Sequence, residues 1–382
     1  MRFFHLSDLH IGLKLMNHDL REDQEYILRQ VIAMAREEQP DAVLIAGDIY
    51  DKAIPSADAV EIFDHFLGDL AEALPQGHIM MISGNHDSAP RVNVFRSLLK
   101  RQNIHMIGLP PEAEGERIEK VTLEDPYGRV NFYLLPFVKP SMLRVVLERK
   151  DEDSSLSYDE ALHLLMKRES IDQGERNVLV SHQFYLPSGT SADNVERMDS
   201  EIRTVGNIDE VSADVLSPFD YAALGHIHKP MKVGKDIYRY CGTPLACSVS
   251  EAGQQKEVLL VELKEKGDAA IRSLPLAPLR EVRILRGTLE EVLRESSEDY
   301  VTVLLTDRVD LDVLDMQDRL RAAFPNLLEI RRETLREIDY TGPTLAPEKL
   351  EPFSLLCSFL KDLEEEEKEI LQDVIHTLQE VK

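Results

Sequence analysis

Five short polar clusters combine groups that bind divalent cations or move protons: Asp8-Leu9-His10, Gly47-Asp48-Ile49-Tyr50-Asp51, Gly84-Asn85-His86-Asp87, Ser181-His182 and Gly225-His226-Ile227-His228. In an extended chain, residues two apart point the same way, so Asp8 and His10 could share one ion; His226 and His228 repeat that spacing. Asp48 is a carboxylate able to bridge two cations, and the glycine before it permits a tight turn. Asn85 offers a neutral oxygen, and His86 a donor that could act on a reacting phosphate. Asp8, His10, Asp48, Asn85, His86, His182, His226 and His228 are therefore the candidate site residues, and they include five of the chain's 12 histidines. Their mixed nitrogen and oxygen donors, with no thiolate, suit Mn²⁺ and tolerate Mg²⁺, Fe²⁺ or Zn²⁺. Any one such Asp or His is as readily a turn residue or helix cap, but five clusters in order would need several independent accidents.

Each cluster follows a predicted strand: residues 2–6, 42–46, 78–82, 177–180 and 221–224, with further strands at 130–135 and 258–263. Apolar residues at helical spacing predict helices over 20–37 and 58–74, and Ser88-Ala89-Pro90 reads as the start of another over 91–101. Strands that feed helices make an α/β layer structure, in which ligand groups gather at the strand ends. The segment Leu274-Pro-Leu-Ala-Pro-Leu279 reads as a linker between residues 1–275 and a small α+β domain over 276–340. That domain is expected to hold strands at 281–285, 300–305 and 327–332 and helices at 289–294 and 314–324. Residues 341–382 read as a terminal helix with Leu356, Leu360, Leu363, Ile370, Val374, Leu378 and Val381 on one side.

The chain has 382 residues, and its 70 acidic against 44 basic side chains leave a net charge of -26. With 43% apolar and 30% charged residues, global disorder is excluded. No apolar run reaches the roughly 20 residues of a membrane span, and no signal-peptide core follows Met1, so a cytoplasmic protein with no membrane partner is expected. Cys241, Cys247 and Cys357 lack disulfide or zinc spacing and read as small buried hydrophobes. The acidic balance argues against unaided gripping of nucleic acid, though bound cations or a basic partner could supply positive charge. The chain contains no G-x-x-x-x-G-K-[ST] phosphate loop, so ATP dependence would have to come from a partner.

The order D-x-H, G-D-x-x-D, G-N-H-[DE], a later His and G-H-x-H resembles the calcineurin-like metallophosphoesterase superfamily. Within it, FFHLSDLHIGLKL, GDIYDKAIPSADAVEIF and FDYAALGHIHKP look like the SbcD-type nuclease family of double-strand-break repair. The resemblance implies a metallophosphoesterase β-sandwich flanked by helices, a small capping domain that helps select DNA, and a C-terminal helix. It implies that Asp8, His10, Asp48 and His228 hold one divalent cation and that Asp48, Asn85, His182 and His226 hold the other. His86 would then stabilise transition-state charge or protonate the leaving group, supported by Asp51 or Asp87. The implied activity is 3′ to 5′ exonuclease action on double-stranded DNA and endonuclease action on hairpins or single strands, in repair, recombination and replication. The implied partners are DNA, a second copy packed through the helices at 58–74 and 91–101, and an SbcC-type ATPase whose coiled-coil base receives the terminal helix, giving a nucleoid-associated heterotetramer. Arg91, Arg96, Lys100 and Arg101 are candidates for phosphate contacts, with a solvated helix face as the plainer reading. Two rivals remain: the same centre acting on a small-molecule or protein phosphoester, and a scaffold without catalysis.

Overall fold

In the computed structural model the chain divides into two units, Met1–Glu333 and Thr334–Lys382. The structure describes residues 1–148, 156–190, 198–201, 209–307 and 313–333, all in the first unit. The expected terminal helix and Cys357 therefore lie outside the described residues.

The chain opens with β1 (Arg2–Leu6), α1 (Arg21–Glu38), β2 (Ala42–Ala46), α2 (Ala57–Ala73), β3 (His78–Ile82) and β4 (Ile104–Ile107). There follow β5 (Glu119–Asp125), β6 (Gly128–Leu135), α3 (Tyr158–Arg168), β7 (Arg176–His182), β8 (Tyr221–Gly225), β9 (Met231–Val233) and β10 (Lys235–Tyr240). Last come β11 (Lys256–Leu263), β12 (Ala269–Leu276), β13 (Val282–Gly287), α4 (Leu289–Val292), β14 (Tyr300–Leu305), α5 (Val313–Ala323) and β15 (Leu327–Arg332).

Two six-stranded sheets carry the fold, one in the order β12-β11-β1-β2-β3-β4 and the other β9-β10-β8-β7-β6-β5. β1 to β4 are parallel, with β11 antiparallel beside β1; β6, β7, β8 and β10 are parallel in the second sheet. A parallel sheet is covered on both faces, which is why β2 is wholly apolar and wholly buried. Its inner face joins Phe3, Leu44, Met80, Phe132, Val180 and Tyr221 in a layer between the sheets. There the Phe3 ring meets Phe132 and Tyr221 edge-on at 5.6 and 5.5 Å. The outer face packs Phe4, Val43 and Ile45 under Ile27, Val31, Ile62 and Phe66 of α1 and α2, and α3 covers the second sheet through Leu162 and Leu165. The fold is thus a mixed α/β sandwich flanked by helices.

Two local expectations need correction. The helix expected over 91–101 is broken into turns at Ala89–Val92 and Arg96–Leu99, because Phe95 between them adopts a left-handed φ of 61° that a helix cannot continue through. Leu274 to Leu276 are not linker but the end of β12, where Pro275 is tolerated on an edge strand with no second neighbour. Strands β4, β5, β9, β10 and β12 and helix α3 had no clear sequence signal: they are short, edge-placed or mixed in polarity. Among the described residues, no helix is long and apolar enough to cross a membrane.

Strands β13, β14 and β15 form a separate three-stranded parallel sheet with its own core of Val301, Val303, Leu305, Leu320 and Phe324. Capping boxes at Ser157 and Thr288 start α3 and α4, each reciprocated by the Glu three residues on.

Candidate metal centre

The ends of β1, β2 and β3 from one sheet and of β7 and β8 from the other meet at one place, and backbone contacts lock their loops together. Asp8 and His10 donate their amides to the carbonyls of Gly47 and Asp48, each at 3.0 Å. Asp8, His10 and Asp48 hold φ of 53°, 43° and 49°, a left-handed backbone that non-glycine residues adopt at a cost. Two glycines permit the close approach. A Cβ on Gly84 would lie 2.1 Å from Asp48 Oδ1, and one on Gly225 would lie 1.9 Å from the Ala46 carbonyl oxygen.

The eight sequence-predicted residues converge. Asp48 Oδ2 lies 3.3 Å from His182 Nε2, 3.8 Å from His10 Nε2 and 4.0 Å from His86 Nε2. Asn85 Oδ1 sits 2.9 Å from both His182 Nε2 and His226 Nδ1. On the other side, His10 Nε2 and His228 Nε2 are 3.1 Å apart, and Asp8 joins them in a cluster whose ligand atoms lie within 4.8 Å of one another. Asp8, Asp48 and His182 make a second such cluster. Asp8 also accepts the His226 backbone N–H at 3.1 Å, tying the two sides.

Two carboxylates and four imidazoles, all buried, and one partly buried amide oxygen around two centres match the donor chemistry of a dinuclear divalent site. The fit is supported by the Nε2 atoms of His10 and His228, two imidazole nitrogens that face one another beside the buried Asp8 carboxylate. Electrostatics agree. Burial pushes the Asp48 carboxyl upward, but His182, His10 and His86 outweigh it and hold the group well below the usual carboxylate range. Burial alone would lower His182, yet Asp48 and the Ala46 carbonyl raise it to about 9. Burial and the neighbouring His228 keep His10 well below its ordinary value and so neutral, as a ligand must be. The pocket holds negative charge that a divalent cation would neutralise in place of protons.

Asp87 and Asp51 both support the site, through the backbone. Buried Asp87 accepts N–H groups from Ile49, Tyr50 and Gly84 at 3.0, 2.9 and 2.9 Å, pinning the β2 loop to the β3 loop. The His86 Nδ1–H donates to the Asp51 carbonyl at 2.9 Å, so its partner is a peptide oxygen and not a carboxylate. Its Nε2 is left turned toward Asp48. The His86 side chain is 17% exposed, against 2% or less for His10 and His182.

Arg91, Lys100 and Arg101 are exposed, and Arg96 is half-buried. Arg96 and Lys100 pair with Glu119 at 2.6 and 3.3 Å, so part of their charge is used on β5. Sequence reasoning missed Gln24, whose Nε2 donates to the His10 carbonyl at 2.7 Å while its Oε1 accepts from the Gly12 amide at 3.0 Å. A polar residue on the apolar stripe of α1, between Leu20 and Ile27, was the available signal. It also missed Ser200, Glu201, Glu251 and Lys256 around His228.

Residues 1–230 match the calcineurin-like phosphoesterase family, which is 60% of the chain. The chain belongs to that family. It is accordingly a metal-dependent hydrolase of a family that uses two divalent metals. Residues 278–364 of this phosphoesterase match a second family, the SbcD C-terminal domain, described as the type 5 capsule protein repressor C-terminal domain. Among solved structures, a dimetal phosphatase from Danio rerio is 15% identical, with 72% of this chain and 98% of that one covered at a TM-score of 0.42. GAP50, the anchor in the inner membrane complex of Plasmodium, is 12% identical, with 86% and 96% covered at a TM-score of 0.38.

Proposed function

We propose that this phosphoesterase is the nuclease subunit of an SbcCD-type complex that processes DNA ends and hairpins. The observation that carries the reading is the coincidence in one chain of the eight-residue centre around Asp48 with a C-terminal region of SbcD type. In this reading Asp8, His10, Asp48 and His228 hold one cation, and Asp48, Asn85, His182 and His226 hold the other, Mn²⁺ being the ion best suited. When bound, the pair supplies Lewis-acid charge for the phosphodiester and lowers the pKa of water.

The chain's own residues do the rest. Asp87 and Gly84 fix the loop that carries Asn85 and His86. With Nδ1–H committed to the Asp51 carbonyl, His86 meets a substrate through Nε2 alone, which carries a proton when it stabilises charge on a phosphate oxygen or gives that proton to the leaving oxygen. It is well placed to do so because its side chain is partly open to solvent while those of His10 and His182 are closed off.

Double-strand exonuclease and single-strand or hairpin endonuclease activity, homodimer formation and docking on an SbcC-type ATPase belong to the same proposal, as do DNA selection by residues 276–340 and docking through 341–382. The test is Mn²⁺-dependent cleavage of end-blocked and hairpin DNA with and without the ATPase. His86→Gln is expected to lose at least about 100-fold in cleavage rate while still binding metal, and Asp48→Ala to lose both. Full cleavage by either variant, or turnover of a small phosphoester with DNA left intact, would overturn the assignment.

A further inference from the structure

Behind His228 lies a polar network that the proposed hydrolysis does not use. His228 Nδ1–H donates to Ser200 Oγ at 2.7 Å, and the Ser200 hydroxyl donates to Glu251 Oε1 at 2.8 Å; the direct distance from His228 Nδ1 to Glu251 Oε1 is 3.4 Å. The other oxygen of Glu251 accepts from Lys256 Nζ at 2.6 Å and from Thr243 Oγ1 at 3.0 Å. Lys256 donates further to Thr243, Gln254 and the His228 carbonyl. Glu251 and Lys256 are 1% and 5% exposed, so the core holds a full ion pair away from water, which hydrophobic residues would replace at little loss if stability alone were served.

Resting on the dinuclear reading, we infer that Glu251 is a positioning residue that acts through Ser200 to keep the His228 proton on Nδ1 and its Nε2 lone pair aimed at the cation shared with His10. Carboxylates behind metal-bound imidazoles fix the tautomer and ring orientation in this way. Lys256 holds Glu251 ionised and oriented without competing for His228. Cys247 also comes within 4.8 Å of the His228 and Glu251 ligand atoms, but Lys256 already supplies the positive charge there, so this trio is not a third cation position.

Calorimetric titration of the metal-free full-length protein with Mn²⁺ tests the inference without relying on activity. Wild type is expected to bind two cations, and Glu251→Ala to bind one of them about 10- to 100-fold more weakly while the other changes less than threefold. Ser200→Ala, which spares the buried ion pair and therefore the fold, is expected to weaken the same event, and Glu251→Gln to recover most of the loss by retaining an acceptor. Two unchanged affinities in folded Glu251→Ala and Ser200→Ala would overturn the inference, as would equal weakening of both events, the mark of a structural role. Wild type that binds no second cation would overturn the dinuclear reading instead.

Discussion

At the scale of single residues, the same side-chain chemistry takes opposite roles according to its surroundings. His5 lies three positions before Asp8 and is fully buried, yet it faces away from the metal centre: Tyr221 Oη–H donates to its Nδ1 at 3.0 Å and its Nε2–H donates to the Leu224 carbonyl at 3.2 Å. Burial lowers its pKa to about 3, against a weaker opposing pull from Leu224. Because the folded value is depressed, the unfolded chain binds the extra proton, so stability is fully present above about 6.5 and is lost as pH falls toward 3, by at most about 1.4 kcal/mol per unit. His5→Leu should be less stable than wild type at pH 7 by about 1–3 kcal/mol. That gap should narrow by about 2 kcal/mol at pH 5, as read from urea midpoints; a constant gap would refute the role assigned to His5.

Among elements, helix α1 has two tasks at its N-terminus. Gln24 clamps the loop that carries His10, and buried Asp23 anchors the three-stranded sheet by accepting from Arg280 Nη1 and Tyr300 Oη, each at 2.8 Å. Val282 and Tyr300 extend that anchor into the apolar core beside α1. Asp23→Ala removes the carboxylate that Arg280 and Tyr300 share and leaves the partly exposed Arg280 paired with Glu22, and should cost about 1–3 kcal/mol. The loss should be local: hydrogen exchange in β13 and β14 accelerates while that in β2 does not. Equal acceleration in both would show that the small sheet unfolds only with the whole. The element bounds for α1, α2, β2 and β3 were legible to within a residue, because their burial is one-sided or complete and the apolar pattern follows it. The break at Phe95 was not, since helical spacing in Val92, Phe95 and Leu99 persists through a backbone that turns left-handed.

For the whole molecule, the metal centre draws on both sheets, so cation binding should hold the sandwich together. A ligand at about 100 times its dissociation constant adds about 2.7 kcal/mol, which for a chain of this size corresponds to a rise of about 3 °C in the unfolding midpoint. Differential scanning fluorimetry with Mn²⁺ against chelator should show this shift, and Asp48→Ala should abolish it. Identical wild-type midpoints in both buffers would mean that no cation joins the sheets. The net charge of -26 makes the neutralisation of Asp8 and Asp48 by bound cations a global as well as a local gain.

What the amino-acid sequence determined by itself was the set of candidate ligand groups and their positions at strand ends, because donor type, spacing by two and apolar runs are all local properties. It also specified the alternation of strand and helix that makes the layers. Tertiary structure alone decided which groups work together. That Asp48 is 3.3 Å from His182, that Asp51 serves His86 by its carbonyl, and that Glu251 and Ser200 stand behind His228 are contacts between segments far apart in the chain. Such contacts depend on how two sheets pack and where their loops close, which no local pattern encodes.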